Sequence, residues 1–300
     1  MLRSEKNMKK PLLILALSLA ICAAFTAPEA QAQGMKIRFL GTGAADWSKP
    51  EADGEYRRLS SILVEDKVLI DLTLSNLEMI PGDSRPNVIF YTHSHPDHYK
   101  PEAALRVGID TVFCSATWAG RCRDDFARAA REMHLRQPVI IPLEEQDEVT
   151  VGGITFKALP ANHYTGDLHE QALIYLLIKG DTRVLYATDT GGLTANAAIG
   201  GLFGADGLPA SRRLPLSGLI MEATVGAGGE ENFRLFSHSC VETVLHTANA
   251  LHRTGGLKPD APVYITHLAR TLHPSQAELN VTLPEPLKAA SDGLEVFFEK

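Results

Sequence analysis

Cysteine is scarce in this chain, with four residues in 300. Cys22 lies in the N-terminal segment, and the other three, Cys114, Cys122 and Cys240, form no C-x-x-C pair. That scarcity excludes a disulfide-dense scaffold and a cysteine-ligated zinc site. An odd count after removal of Cys22 leaves at least one thiol unpaired, with a Cys114–Cys122 bridge left open. Positive charge is also lacking: 29 Lys and Arg stand against 36 Asp and Glu, a net charge of −7. A surface of that sign repels long polyanions, so duplex DNA and structured RNA are not expected partners. Small anions are, because bound metal ions reverse the local potential. Repeats and low-complexity linkers are absent too, and beyond residue 32 no apolar run is long enough to span a bilayer. A composition of 45% hydrophobic and 22% charged residues fits a globular chain with ample length for a core.

The first 32 residues read as a secretory signal. Arg3, Lys6, Lys9 and Lys10 supply the positive start, Leu12–Ala27 the apolar stretch, and Ala30-Gln31-Ala32 the small-x-small cleavage pattern. The expected domain is then 33–300, exported to a periplasm or the medium, with a net charge of −9 and no stable membrane span. A homodimer is compatible with this reading.

Short apolar runs alternate with helical patterns through the rest. Met35–Leu40 predicts a strand ending in Gly41-Thr42-Gly43, and Ser61–Val64 with Lys67–Leu72 predicts a hairpin around Glu65-Asp66. Further strands are predicted at Val88–Tyr91, Thr111–Cys114, Ile154–Leu159, Ala172–Lys179, Arg183–Ala187, Leu216–Met221, Val263–Thr266 and Leu294–Phe298. Helices are predicted at Pro101–Val107, Thr117–Leu135 and Ser239–Leu251, the last capped by Ser239. Gly200–Pro215 reads as a loose stretch. Without a strict β-α-β rhythm, this order favours a sheet-on-sheet core flanked by helices, an α+β architecture.

One segment carries the chemistry: Val88-Ile89-Phe90-Tyr91-Thr92-His93-Ser94-His95-Pro96-Asp97-His98. An apolar strand delivers four metal-ligand side chains within six residues. Strand alternation puts His93 and His95 on one side, and the turn at Pro96 brings Asp97 and His98 back toward it. Imidazole and carboxylate are the ligands of hydrolytic metal sites that keep a position open for water.

The segment resembles the H-x-H-x-D-H signature of the metallo-β-lactamase-fold hydrolases, and the resemblance continues in order. Leu40-Gly41-Thr42-Gly43 resembles the family's opening strand and loop, Asn162-His163-Tyr164 its third histidine, Ala187-Thr188-Asp189-Thr190-Gly191 its bridging aspartate, and Ile265-Thr266-His267 its final histidine. The resemblance implies a four-layer αββα sandwich. It also implies two divalent metal ions, zinc first, with manganese or iron compatible with the same ligand types. His93, His95 and His163 would hold one ion and Asp97, His98 and His267 the other, with Asp189 bridging. The implied chemistry is attack by a metal-activated hydroxide that Asp97 orients and deprotonates.

Two more residues narrow the reaction. Glu222 ends the run Leu219–Glu222, and His238 sits in Phe236-Ser237-His238-Ser239, just before a helix. The pair resembles the glutamate and histidine of the family's phosphodiesterase branch, which includes tRNA 3′-processing endonucleases and phosphoribosyl cyclic phosphate phosphodiesterases. The implied role is protonation of a departing alkoxide by His238 held by Glu222. The acidic charge and the signal point away from tRNA and toward a small anionic diester, a cyclic nucleotide or cyclic phosphosugar. Two alternatives use the same residues: a lactonase or β-lactamase-type hydrolase, and a non-catalytic metal-binding protein. The other histidines, His134, His169, His246, His252 and His273, read as structural or solvated, with His273, six residues past His267, the first candidate among them for a contact at the pocket rim.

Overall fold

Continuous apolar runs dominate the strands, as expected where a sheet is covered on both faces. The computed structural model describes residues 34–52, 54–202 and 215–300. The signal read at Met1–Ala32 lies outside the described residues, as does most of the loose stretch 200–215.

Two seven-stranded sheets form. The first runs β14 (Glu295–Glu299), β1 (Gly34–Gly41), β2 (Ser61–Val64), β3 (Val68–Ile70), β4 (Val88–Phe90), β5 (Thr111–Ser115) and β6 (Val139–Leu143). The second runs β13 (Leu287–Ala289), β12 (Val263–Thr266), β11 (Gly218–Glu222), β10 (Thr182–Ala187), β9 (Leu173–Lys179), β8 (Ile154–Pro160) and β7 (Glu148–Val151). Between them lies an apolar layer in which Phe90 stacks on Phe113 at 4.5 Å and on Phe156 of the opposite sheet at 4.3 Å. The outer face of the first sheet, through Leu69, Ile89 and Val112, packs under α1 (Pro101–Val107) and α2 (Ala119–Met133). The outer face of the second, through Leu219, Met221 and Ile265, packs under α4 (Val241–Arg253), with Leu279 of α5 (Gln276–Thr282) joining it. Alternation within β4 shows the division: Val88 and Phe90 turn to the central layer, and Ile89 turns to the helices. The four layers are the αββα sandwich.

Local rules account for most elements. Glu65 and Asp66 both take positive φ in the β2–β3 turn, and Gly180 does so in the β9–β10 turn. Pro101 opens α1, and Gly108 closes it in the left-handed conformation. Ser239 corrects one expectation. Cys240 is the N-cap of α4, and the Ser239 hydroxyl instead donates to the Thr190 carbonyl at 2.7 Å, tying the helix start to the loop after β10. The strands β6, β7 and β13 and helix α5 go beyond the sequence prediction. The three thiols are buried and unbridged.

This topology sets up the site. Strands β3, β4 and β5 are mutually parallel, as are β10, β11, β12 and β13. The carboxyl ends of β3, β4, β8, β10, β11 and β12 therefore open toward one edge of the sandwich, the usual place for a ligand site in such sheets. The Tyr175 hydroxyl donates to the Tyr91 carbonyl at 2.7 Å, and Leu173 N donates to Thr92 O at 2.8 Å, fastening the sheets together there.

Candidate metal centre

Each strand at that edge releases one chemistry-bearing side chain within a few residues of its end. Asp71 follows β3, His93 through His98 follow β4, His163 follows β8, Asp189 follows β10, Glu222 ends β11, and His267 follows β12. Asp71, Asp189 and His267 all take positive φ (57°, 48° and 55°). Left-handed backbone at non-glycine residues costs of order 1–3 kcal/mol each and persists only where surrounding structure enforces it.

The side chains converge. His98 Nε2 lies 2.9 Å from Asp189 Oδ2 and 3.2 Å from His267 Nε2, and Asp97 Oδ2 is 3.4 Å from His267 Nε2. On the other side, His163 Nε2 lies 3.1 Å from His95 Nδ1, and the His93 ring is 4.6 Å from the His95 ring and 4.7 Å from the His163 ring. Asp189 spans both groups, with Oδ2 toward His98 and His267 and Oδ1 3.8 Å from His163 Nε2. Ligand atoms close enough to share an ion occur in the sets His93–His95–His163, Asp97–His98–His267 and His93–His98–Asp189. All seven sequence-predicted positions are thus brought to one place.

Hydrogen-bond logic tests whether a cation fits. Asp71, fully buried, can only accept, so His98 donates through Nδ1 at 2.8 Å. The Thr92 hydroxyl donates to the other side of the network, Asp71 Oδ2 at 2.8 Å, so it accepts from His93 Nδ1 at 3.0 Å. The Ser237 carbonyl accepts from His163 Nδ1 at 3.0 Å. The Thr224 hydroxyl donates to Glu222 Oε2 at 2.6 Å and so accepts from His267 Nδ1 at 2.8 Å. In all four rings Nδ1 is committed outward and the Nε2 face is turned inward. His93 Nε2 is buried with no hydrogen-bond partner. Imidazoles oriented by carbonyls, hydroxyls and carboxylates behind them are the pattern of metal ligands. The residues fit a pair of divalent cations.

Charge agrees. Burial opposes protonation of His98, but Asp189, Asp97 and Asp71 outweigh it and push the ring well above its ordinary range. Burial raises Asp189, yet His267, His98 and His163 hold it well below the carboxylate range. Asp97 is likewise held down, against burial, by His98 and a hydrogen bond with His267. The edge attracts positive charge.

Glu222 and His238 stand beside this centre. Glu222 is fully buried and accepts from Thr190 N at 2.8 Å, Thr224 N at 2.9 Å, the Thr224 hydroxyl and His238 Nδ1 at 2.9 Å. His238 also lies 3.6 Å from Asp189 Oδ1. Burial disfavours the charged His238 ring, but Glu222 and Asp189 prevail and raise it to about 9. Both predicted residues therefore reach the site, His238 at its wall and Glu222 behind it.

Several supporting residues escape sequence reasoning. Asp71 is one, with a visible signal: a lone acid inside the apolar run Val68-Leu69-Ile70-Asp71-Leu72. Thr224 is another, two residues past Glu222. Glu170 accepts from Ser94 N and the Ser94 hydroxyl at 2.8 and 2.7 Å, and from Arg121 at 2.8 Å, clamping the His93–His95 turn. His273 takes a structural place rather than a rim contact. Its Nε2 bonds the Ala223 carbonyl at 2.6 Å, and the ring lines a neighbouring hollow with Trp47 and Arg270 rather than the cleft over the metal centre.

That cleft holds about 600 Å³ and reaches His95, Asp97, Asp189, His238 and His267. Its outer wall is formed by Tyr164, Phe233 and Phe236.

Residues 68–207 match the family model described as the beta-lactamase superfamily domain. No curated protein sequence matches the chain. Among solved structures, a diphosphatase from the PhnP family is similar at 19% identity and a TM-score of 0.59, covering 89% of this chain and 98% of that one. The short form of human tRNase Z gives 16% identity and a TM-score of 0.62, covering 88% and 100%. Zinc-bound PqqB from Methylobacterium extorquens gives 13% identity and a TM-score of 0.57, covering 87% and 99%. At these identities the likeness establishes the fold, and the sequence match is confined to residues 68–207. The chain has the metallo-β-lactamase fold, and that segment of it matches the beta-lactamase superfamily domain.

Proposed function

We propose that this protein is an exported phosphodiesterase that hydrolyses a small anionic diester with two divalent cations, zinc in the first instance. His93, His95 and His163 would hold one ion, Asp97, His98 and His267 the other, and Asp189, with its two oxygens facing opposite groups, would bridge them. Bound there, the cations supply the Lewis acidity that makes water nucleophilic near neutral pH and offsets charge on phosphoryl oxygens.

The protein's own contribution is orientation and proton transfer. Asp97, anionic and at the cleft floor, accepts a hydrogen bond from the attacking water, aims it and takes its proton as the oxygen bonds to phosphorus. As the water oxygen bonds to phosphorus and the ester P–O bond breaks, the leaving oxygen takes a proton from His238. Glu222 and Thr224 grip its Nδ1 edge, at 2.9 and 3.2 Å, and leave the opposite edge for the substrate. The His238–Glu222 pair is the observation that carries this reading, because a departing alkoxide needs an acid and the pair keeps one charged at neutral pH. Two fold relatives, a diphosphatase and a tRNase, fit a phosphorus centre. Export rests on the N-terminal signal pattern, and β1 begins at Gly34, so cleavage after Ala32 leaves every described strand whole.

The test is a hydrolysis panel of bis(p-nitrophenyl) phosphate, cyclic nucleotides, cyclic phosphosugars, lactones and nitrocefin, with zinc, manganese or iron(II). Diesters are expected to be cleaved fastest. His238→Ala should keep its metal and lose about 10²–10⁴-fold in diester turnover. Faster cleavage of a lactone or nitrocefin, unaffected by His238→Ala, would favour the carbonyl-hydrolase alternative. A purified chain that binds no metal would favour the non-catalytic one.

A further inference from the structure

The rim of the cleft has a feature that catalysis at the metal centre does not require. Phe233–Phe236 is a single 3-10 turn, and in that geometry residues three apart lie on the same side. Phe233 and Phe236 therefore project together, and both line the cleft. They are 73% and 87% exposed, and Tyr164 beside them is 56% exposed. Three large rings left in water around one opening mark a surface that a ligand covers. Their placement is fixed by the site itself. Tyr164 N donates to the Ser237 hydroxyl at 2.9 Å, the Tyr164 hydroxyl donates to the Gly166 carbonyl at 3.1 Å, and Asn232 caps the turn. Ser237 follows Phe236 directly and orients His163, so the rings are held in register with the metal centre.

The same turn carries Arg234, the only lysine or arginine among the described residues that line the cleft. Its guanidinium lies 5.0 Å from the centre of the Phe233 ring. Flat aromatic faces with a guanidinium among them are the chemistry that stacks a nucleobase. A bare ribose can lay only its small C–H face on such rings and gives the guanidinium no π-system to stack on, and a flexible acyl chain has no use for the cation.

We propose that Phe233, Phe236 and Tyr164 form a base-stacking wall, and that the substrate is a small nucleotide diester rather than a phosphosugar. This rests on the phosphodiesterase reading above and adds the substrate class. A phosphoryl group at the metal centre and a base on the wall would occupy the two ends of one cleft of about 600 Å³, within the usual range for small-molecule sites.

Two measurements test it on the zinc-loaded chain. The first is steady-state hydrolysis of adenosine 2′,3′-cyclic phosphate and of methyl riboside 2,3-cyclic phosphate, which lacks the base. The second is calorimetric affinity for AMP against ribose 5-phosphate. The base-bearing member of each pair should bind about ten- to a hundredfold more tightly. The double variant Phe233→Ala/Phe236→Ala should erase that preference, bringing the base-bearing member of each pair down to its base-free partner. Phe236→Trp, in place of the alanine, should restore it. Equal affinity for both members in the natural protein, or an equal loss for both in the double variant, would overturn the wall and point to these rings as a docking surface for another protein. If neither diester is hydrolysed while a lactone is, the phosphodiesterase reading fails. The AMP comparison still judges the wall by itself.

Discussion

The two halves of the candidate metal centre are built differently. His98 and His267 are buried and backed by side chains: Asp71 holds one ring, Thr224 and through it Glu222 the other. His163 is backed instead by the carbonyl and hydroxyl of Ser237, in the segment that also carries the aromatic rim. Two rings are wired into the sandwich and this one into a loop. The difference assigns rigidity to His98 and His267 and couples His163, through Ser237, to whatever binds at the rim.

Asp189 joins the halves, and its removal should have the largest effect. Asp189→Ala is expected to bring metal content, measured by mass spectrometry, to background and to end turnover. That loss should exceed the roughly 10–100-fold typical of groups behind the ligands. A variant that retained both ions would mean the halves are independent.

The halves themselves are compared by changing their backing groups. Asp71→Asn replaces an acceptor with a donor facing either His98 or Thr92, and should weaken metal affinity about 10–100-fold. Ser237→Ala should cost less than about tenfold, because the backbone carbonyl still accepts from His163. Equal losses in a competition assay with a chromophoric chelator would erase the distinction.

The smallest expected effect concerns pH. A general acid works while protonated, so diester turnover should fall as pH rises through the His238 value of about 9. Glu222→Gln removes the charge that raises His238, so this alkaline limb should move to lower pH. An unmoved limb would assign it to another group.

Legibility in the sequence followed how local each signal was. Buried strands such as Val88–Phe90 and Leu219–Glu222 are apolar throughout, so their runs stand out. Val139–Leu143 and Glu148–Val151 pair at sheet edges and are half-exposed; the first is an apolar run interrupted by Pro142, and the second only alternates, so neither stands out as a strand. Helix α5 did leave a signal, Ser275 three residues before Glu278, and the Ser275 hydroxyl does accept from Glu278 N. The H-x-H-x-D-H segment was legible because four side chains crowd one turn. Thr224 and Ser237 were not, since a threonine or serine acquires its role only from the imidazole that folding sets against it. The aromatic rim was missed for the same reason.

By itself the sequence determined the buried strands, the sheet-on-sheet core flanked by helices, and the set of imidazoles and carboxylates placed at strand ends. Tertiary structure decided which ring nitrogen each histidine turns inward, that Asp189 spans two groups, and that three aromatic rings frame the entrance. The reason is physical. Strand propensity and burial are read from neighbours in the chain, whereas tautomer, charge and cleft shape depend on groups far apart in sequence, such as Asp97 and His267, 170 residues apart, meeting within hydrogen-bond distance.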